Sequence, residues 1–103
     1  MVAQERLSHP DREDIELTAV LFALSDEARL ALVRQLKSGP MDMVNCSALD
    51  PKAPKSTRSH QVKVLREAGV VISELQGRNR RLTLRRDDLD ARFPGLLESV
   101  LQG

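Results

Sequence analysis

A mainly α-helical fold with one β-hairpin, in the order ααααββα, is predicted by the spacing of the apolar residues. They recur at helical intervals in the first half of the chain and near its C-terminus, whereas a short alternating segment between them is typical of a hairpin. The 103 residues fit one domain, and an aromatic content of 2% requires an aliphatic core. The sequence therefore predicts one small globular domain.

The first two predicted helices precede residue 40. The first begins at Asp14 and is apolar around most of its circumference, which predicts burial on two sides and therefore a partner subunit. The second follows Ser25 as its N-cap and stops at Gly39-Pro40. The polar residues 1–12 are predicted to form a flexible tail.

A third helix is predicted from Met41 to Leu49, and a fourth begins with Ser56 as its N-cap and ends at Gly69. The last helix is predicted to be capped by Asp87-Asp88 and to bend or restart at Pro94-Gly95.

A strand beginning at Val70, a turn at residues 76–79 and a returning strand up to Arg85 form the predicted hairpin between the fourth and last helices. Two short helices followed by a hairpin indicate a winged helix-turn-helix, and we assign residues 13–103 to this domain.

Several classes of protein are disfavoured by simple features of the chain. The longest uncharged stretch, Leu17 to Ser25, is too short to span a bilayer, and no association with membranes is expected. The single cysteine, Cys46, cannot form an intramolecular disulfide, which favours the cytoplasm. No arrangement of nucleophile and base, phosphate-binding glycine loop or pair of catalytic carboxylates is present, so we predict no enzymatic activity.

The charges are segregated along the chain. Residues 52–86 hold ten basic and two acidic side chains, whereas the segments before and after carry net charges of −4 and −3. A basic middle between acidic flanks is typical of a surface that binds a polyanion, although a solvated charged face is the simpler alternative.

The fourth predicted helix has the pattern of a DNA-recognition helix. Its apolar residues Val62, Leu65 and Ala68 face inward, and its first turn is dense in hydroxyl and amide groups that fit a major groove. An amphipathic helix with a hydroxyl cap is the structural alternative. The residues predicted to contact DNA are Lys55, Ser56, Thr57, Arg58, Ser59, His60, Gln61 and Lys63.

The hairpin that follows carries a basic tip. Arginine at such a tip can contact phosphate or enter a minor groove, although edge hairpins also use charge to discourage strand pairing. Its position after a recognition helix favours a DNA-binding wing, with contacts predicted from Arg78, Asn79, Arg80 and Arg81.

Three segments together resemble the ArsR/SmtB family of bacterial repressors: LFALSDEARLALVRQL, KSTRSHQVKVLREAGVV and GRNRRLTL. The resemblance extends from about Ile15 to Leu101. It implies a dimer formed through the first and last helices, a palindromic operator in double-stranded DNA, and release when a ligand binds. It also implies that residues 56–61 enter the major groove while Arg78 and Arg80 act from the wing.

The metal sites of the resembled family are not matched here. One metal site of that family uses a pair of cysteines, whose positions correspond to about Met43 and Asn45 here, beside the unpaired Cys46. The other site uses carboxylates and histidines of the last helix, and the last predicted helix of this chain has no histidine. Because zinc and similar ions prefer thiolate or imidazole ligands, we predict neither a metal site nor a cofactor, and the inducer is not identified. Cys46 is either a small buried apolar residue or a redox-active thiol.

The apolar surplus of the terminal helices predicts the dimer interface, formed by Ile15, Leu17, Val20, Leu21, Leu96, Leu97, Val100 and Leu101. The predicted function is a dimeric, DNA-binding transcriptional repressor. The alternatives are a winged-helix module that binds an acidic protein, a redox-sensing repressor that uses Cys46, and a repressor without an inducer of its own.

Overall fold

The computed structural model describes residues 8–46, 48–49 and 52–102. Within these ranges the chain forms five α-helices and a three-stranded antiparallel sheet, which confirms the predicted mainly α-helical fold with a hairpin. In chain order the elements are α1 (Leu17–Leu24), α2 (Glu27–Leu36), β1 (Met41–Asp42), α3 (Lys55–Ala68), β2 (Val71–Gln76), β3 (Asn79–Leu84), α4 (Arg86–Arg92) and α5 (Leu96–Gln102).

The sheet has the order β1-β3-β2, and β2 and β3 form the predicted hairpin. The last pair of the hairpin is Gln76 and Asn79, and Gly77 in the turn has a φ of +63°, which glycine adopts without a steric penalty. β1 pairs only with Leu82 and Arg81, so the tip of the hairpin extends beyond the three-stranded part.

The core is aliphatic and positions α3 against the other elements. Val62, Leu65 and Ala68 of α3 are buried at the predicted helical spacing. Burying each large aliphatic side chain contributes roughly 1.5–3 kcal/mol, so this stripe fixes which face of α3 stays exposed. The largest fully buried side chains are Ile15, Val20, Leu32, Val33, Leu36, Leu65, Val70, Val71, Leu82 and Leu89. None of the described helices is long and apolar enough to cross a membrane.

The predicted third helix from Met41 to Leu49 is wrong. Met41 and Asp42 instead form β1 on the edge of β3, and a 3-10 turn at Met43–Asn45 follows. The free edge of β3 supplies backbone partners to this segment, and a short apolar pattern alone does not distinguish a strand from a helix.

Two of the predicted serine N-caps are also wrong. Ser25 ends α1, where its hydroxyl donates to a backbone carbonyl, and the side chain of Asp26 caps α2 by accepting from the N–H of Arg29 at 3.0 Å. The carboxylate also interacts favourably with the positive end of the helix dipole. α3 begins at Lys55, before Ser56, and its N-cap is Pro54.

The predicted last helix is divided into α4 and α5 at Pro94-Gly95, the place where the sequence predicts a bend or restart. The predicted cap at its start is wrong. Asp87 and Asp88 lie inside the first turn of α4, and Arg85 occupies the N-cap position without a capping side-chain hydrogen bond.

Residues 8–12, the described part of the predicted flexible tail, are packed against the domain. The carbonyl of Ser8 accepts a hydrogen bond from Arg66 at 2.6 Å, and His9 Nε2 accepts one from the N–H of Ser73 at 3.0 Å. Because β2 is an edge strand, the histidine satisfies a backbone donor that β3 does not reach.

The first helix begins at Leu17 rather than Asp14, because a 3-10 turn occupies residues 12–14. Arg12 of this turn donates from Nε to Asp88 at 2.7 Å, and Arg85 donates to the other carboxylate oxygen at 2.9 Å. The hydrogen bond from Arg12, followed by that from Arg85, holds the pKa of Asp88 below its ordinary value.

Asp88→Asn is expected to lower the free energy of unfolding by up to about 1 kcal/mol near neutral pH. A carboxyl whose native pKa is lowered stabilises the fold above its unfolded pKa, and this contribution is lost as pH falls through the native pKa. Urea unfolding should therefore separate the variant from the wild type at about pH 7 and not at about pH 2. Asp87→Asn, in the same turn, is the control, and an equal effect there would contradict the assignment.

Candidate nucleic-acid interface

The leading half of α3 presents most of the predicted DNA-contacting residues to solvent. The side opposite the buried stripe carries exposed Lys55, Ser56, Thr57, Ser59, His60 and Lys63. Arg58 is half-buried, and its Nε has no hydrogen-bond partner among the described residues. Short polar groups and cations are therefore available along one face of the helix.

Gln61 differs from the other predicted DNA-contacting residues of α3 because both ends of its side-chain amide are hydrogen-bonded within the subunit. Its Oε1 accepts a hydrogen bond from Arg29 Nη1 at 2.9 Å, and its Nε2 donates to Asp26 Oδ2 at 3.2 Å. Both ends of the amide are thus bonded within the subunit. Gln61 connects α3 to the start of α2, so its side chain is less available to DNA than the sequence predicts.

Arg29, which the sequence did not predict as a functional residue, is the centre of this connection. It is only 8% exposed, and its Nε and Nη2 donate to the carbonyls of Ala23 at 2.7 Å and Phe22 at 3.2 Å. Its guanidinium also lies 5.4 Å from the centroid of the Phe22 ring. One buried arginine therefore links the end of α1 to α3 through Gln61.

A signal for Arg29 is present in the sequence. Residues 29, 32, 33 and 36 form one helical stripe, and the other three positions are apolar and buried. A charged residue on a buried stripe requires hydrogen-bond partners. The N–H of Arg29 is the main group that lowers the pKa of its own cap, Asp26, below the ordinary value.

The predicted basic wing has three different environments. Arg78 and Asn79 are exposed at the tip of the hairpin. Arg80 is half-buried on the face that turns toward α3, whereas Arg81 points to the other face, with Nη1 3.6 Å from Asp42 Oδ1. Of the four predicted wing residues, only Arg78 and Asn79 at the tip are exposed.

Half of the predicted dimer interface is used by the chain's own core. Ile15, Val20, Leu97 and Leu101 are buried within the single chain. Leu17 and Leu21 are 44% and 45% exposed, and Phe22, which is not part of the predicted interface, is 65% exposed. Leu96 and Val100 are half-buried. The part of the predicted interface that remains exposed is therefore smaller than predicted and lies on α1.

Cys46 lies in the core. It is 3% exposed, and its Sγ lies 3.6 Å from the carbonyl oxygen of Asp42. Burial raises the pKa of this thiol, and the carboxylate of Asp42 adds to the rise. A redox-active thiol needs access to solvent and a lowered pKa, so both observations favour the buried-residue interpretation.

Among residues 8–46, 48–49 and 52–102, no three His, Cys, Asp or Glu side chains are grouped to hold a metal ion.

The chain matches no family model. A curated relative, the uncharacterized HTH-type transcriptional regulator YceK of Bacillus subtilis, is 35% identical over 92 residues, covering 86% of this chain and 91% of the relative. A solved structure described as a possible transcriptional regulator for arsenical resistance is 33% identical, with a TM-score of 0.62, and the match covers 79% of this chain and 82% of that one.

A second solved structure, of an ArsR family transcriptional regulator, superimposes with a TM-score of 0.65 over 81% of this chain and 90% of that one. At 23% identity this match supports the fold alone. The relatives are transcriptional regulators, a non-enzymatic class, which agrees with the predicted lack of enzymatic activity. With its winged-helix fold and its 35% and 33% identity to two transcriptional regulators over most of both chains, the chain belongs to the ArsR/SmtB family of DNA-binding transcriptional regulators.

Proposed function

We propose that this regulator is a homodimeric repressor that acts in the cytoplasm, binds a palindromic operator and blocks transcription sterically. The observation that carries the proposal is the exposed polar face of α3 beside a hairpin with a basic tip. A helix of this kind fits a major groove, and two of them related by a two-fold axis match an inverted repeat.

The chemistry of the exposed side chains indicates which of them contact bases and which contact phosphates. Ser56, Thr57, Ser59 and His60 are short polar groups of the kind that reach base edges from the start of a recognition helix. Exposed cations on α3 and at the wing tip supply phosphate contacts, and these give the steep dependence on salt that is expected of such a protein.

The dimer is supported by exposed apolar side chains on α1. Leu17 and Leu21 lie one turn apart on the same face of the helix, and Phe22 is the most exposed aromatic side chain among the described residues. Such a patch is typical of a contact between subunits. Sedimentation should give a dimer at micromolar concentration, and a monomer would contradict this part of the proposal.

Selection from a randomised duplex library tests the operator. We expect enrichment of an inverted repeat whose half-sites lie about 10 base pairs apart, or a multiple of that spacing. Binding without any enriched sequence would contradict a sequence-specific repressor, even if the affinity for DNA were high.

Arg58→Ala and Arg78→Ala should affect binding differently. Loss of a base contact from Arg58 is expected to reduce discrimination between the selected duplex and a mixed-sequence duplex by roughly 1–3 kcal/mol. Loss of a phosphate contact from Arg78 should weaken both complexes equally and lower the salt slope by about one. Fluorescence anisotropy across a salt series measures both effects. Arg34→Ala, an exposed cation on α2, is the control, and unchanged discrimination in Arg58→Ala would contradict the placement of α3.

A further inference from the structure

A cleft of about 230 Å³ lies between α3 and the inner face of the hairpin, with Met43 and Val62 among its lining residues. The cleft adjoins the outward face of α3 that the proposed operator contacts use, and it shares Ser59 and Lys63 with that face. Its polar lining is formed by Ser59, Lys63, Arg66, Ser73 and Arg80, and no carboxylate of the described residues lines it.

Two polar groups of the hairpin face this cleft without partners. Ser73 is 2% exposed, and its hydroxyl forms no hydrogen bond with any described residue. Nη1 of Arg80 is likewise buried and unbonded within the described ranges. Because buried polar groups in proteins are almost always hydrogen-bonded, these two donors are positioned for a ligand in the cleft.

The charge of the cleft indicates which ligand fits. Lys63 and Arg80 form no ion pair with the described part of the chain. Arg66 donates from Nη1 to the carbonyl of Ser8, and its Nη2 lies 4.0 Å from the exposed carboxylate of Glu67. An uncompensated guanidinium, an ammonium group and a hydroxyl around one cleft are typical donors for an oxyanion.

We infer that this cleft binds a tetrahedral oxyanion of the phosphate class. Arg80 and Ser73 donate from the hairpin and Lys63 donates from α3, so the anion joins the wing to the recognition helix. The phosphate has two sources, a free inorganic anion or a phosphodiester of bound DNA. Only the second source rests on the proposed function.

A titration of the full-length protein with inorganic phosphate tests the site. Binding is measured by the chemical shifts of the backbone amides, and sodium chloride keeps the ionic strength constant and serves as the control salt. Saturable shifts at Lys63, Ser73 and Arg80 are expected. Arg80→Gln should weaken binding roughly tenfold or more, the effect of losing a charge-assisted hydrogen bond. The matched control is Arg81→Gln, which removes a neighbouring cation from the opposite face of the same strand and should leave binding unchanged.

An equal loss in the Arg80 and Arg81 variants, or shifts that never saturate, would overturn the proposal, because general attraction to a basic surface would then be sufficient. Ser73→Ala removes only a hydroxyl and should weaken phosphate binding several-fold. It keeps the proposal testable if Arg80→Gln lowers stability, and unchanged phosphate affinity in Ser73→Ala would also overturn the assigned donors.

A second arm distinguishes the two sources of phosphate. Anisotropy of a mixed-sequence duplex is measured in phosphate and in chloride of equal ionic strength. If phosphate lowers the DNA affinity of the wild type but not that of Arg80→Gln, a DNA phosphodiester occupies the cleft. If the DNA affinity of the wild type is the same in phosphate as in chloride, the cleft binds the free anion. The phosphate titration contains no DNA, so a failure to bind DNA would contradict the proposed function and leave the anion site intact.

Discussion

Gly69→Ala is expected to lower the free energy of unfolding by about 2–5 kcal/mol, a large part of the stability of a small domain. Gly69 has a φ of +89°, and a side chain in this conformation costs roughly 1–2 kcal/mol. An added Cβ would also lie 2.6 Å from Cγ1 of Ile15, which is 1% exposed and cannot move into solvent. Overpacking of this kind costs typically 1–3 kcal/mol.

The position of Gly69 explains why the fold needs a glycine there. It ends α3, and the N–H of the next residue, Val70, returns to the carbonyl of Leu65 at 2.9 Å. This is the closing pattern of a helix that ends on a left-handed residue. The chain enters β2 immediately afterwards, so the same residue sets the angle between the recognition helix and the wing.

Urea unfolding of Gly69→Ala and Gly77→Ala separates the two causes. Gly77 also has a positive φ, but an added Cβ there meets no atom within 4 Å. Gly77→Ala should therefore show the conformational cost alone, about 1–2 kcal/mol. Equal destabilisation in the two variants would mean that the contact with Ile15 contributes nothing.

The parts of the fold that the sequence predicts well have strong local signals. α3 has an apolar stripe at helical spacing and a glycine at its end, and the hairpin has Gly77 between two alternating segments. Local spacing and turn residues are enough to define such elements.

β1 could not be predicted in the same way. Met41 and Asp42 become a strand because β3 offers them a free edge, and this contact joins residues far apart in the sequence. The choice between Ser25 and Asp26 as the cap of α2 is also not local, because Asp26 is additionally bound by Gln61 of α3. Tertiary partners decide between two residues that are both good caps.

The candidate interface shows the same limit. Periodicity identifies the apolar residues of the terminal helices, but it does not say which of them the chain buries itself. Ile15 is enclosed in the core against Gly69, whereas Leu17 and Leu21 remain exposed. A polar residue on the edge of a helix face, such as Gln61, is equally ambiguous until its neighbours are known.

Arg29→Met is expected to lower the free energy of unfolding by about 2–4 kcal/mol. Methionine keeps much of the apolar volume but leaves the carbonyl of Ala23 and the amide oxygen of Gln61 without their donors, whereas the carbonyl of Phe22 keeps its hydrogen bonds from Ser25. A buried acceptor without a partner costs roughly 1–3 kcal/mol, and partial access of water to Gln61 reduces the sum.

Thermal or urea unfolding measures this effect, with Arg78→Met as the control. Arg78 is an exposed arginine at the tip of the hairpin, and its substitution should change stability by less than about 0.5 kcal/mol. A double-mutant cycle with Gln61→Ala should give a coupling free energy of about 1 kcal/mol between Arg29 and Gln61. Full additivity would show that the hydrogen bond at 2.9 Å does not connect α2 to α3 in solution.

The same variant separates positioning of α3 from direct contact with DNA. Because Gln61 lies on α3, losing Arg29 should weaken DNA binding even where the variant is fully folded. The salt slope should stay unchanged, since Arg29 is buried and neutralises no phosphate. A lower slope would place Arg29 on the DNA backbone and contradict its role within the subunit. An unchanged slope with lower affinity would show that the orientation of the recognition helix is set from α2.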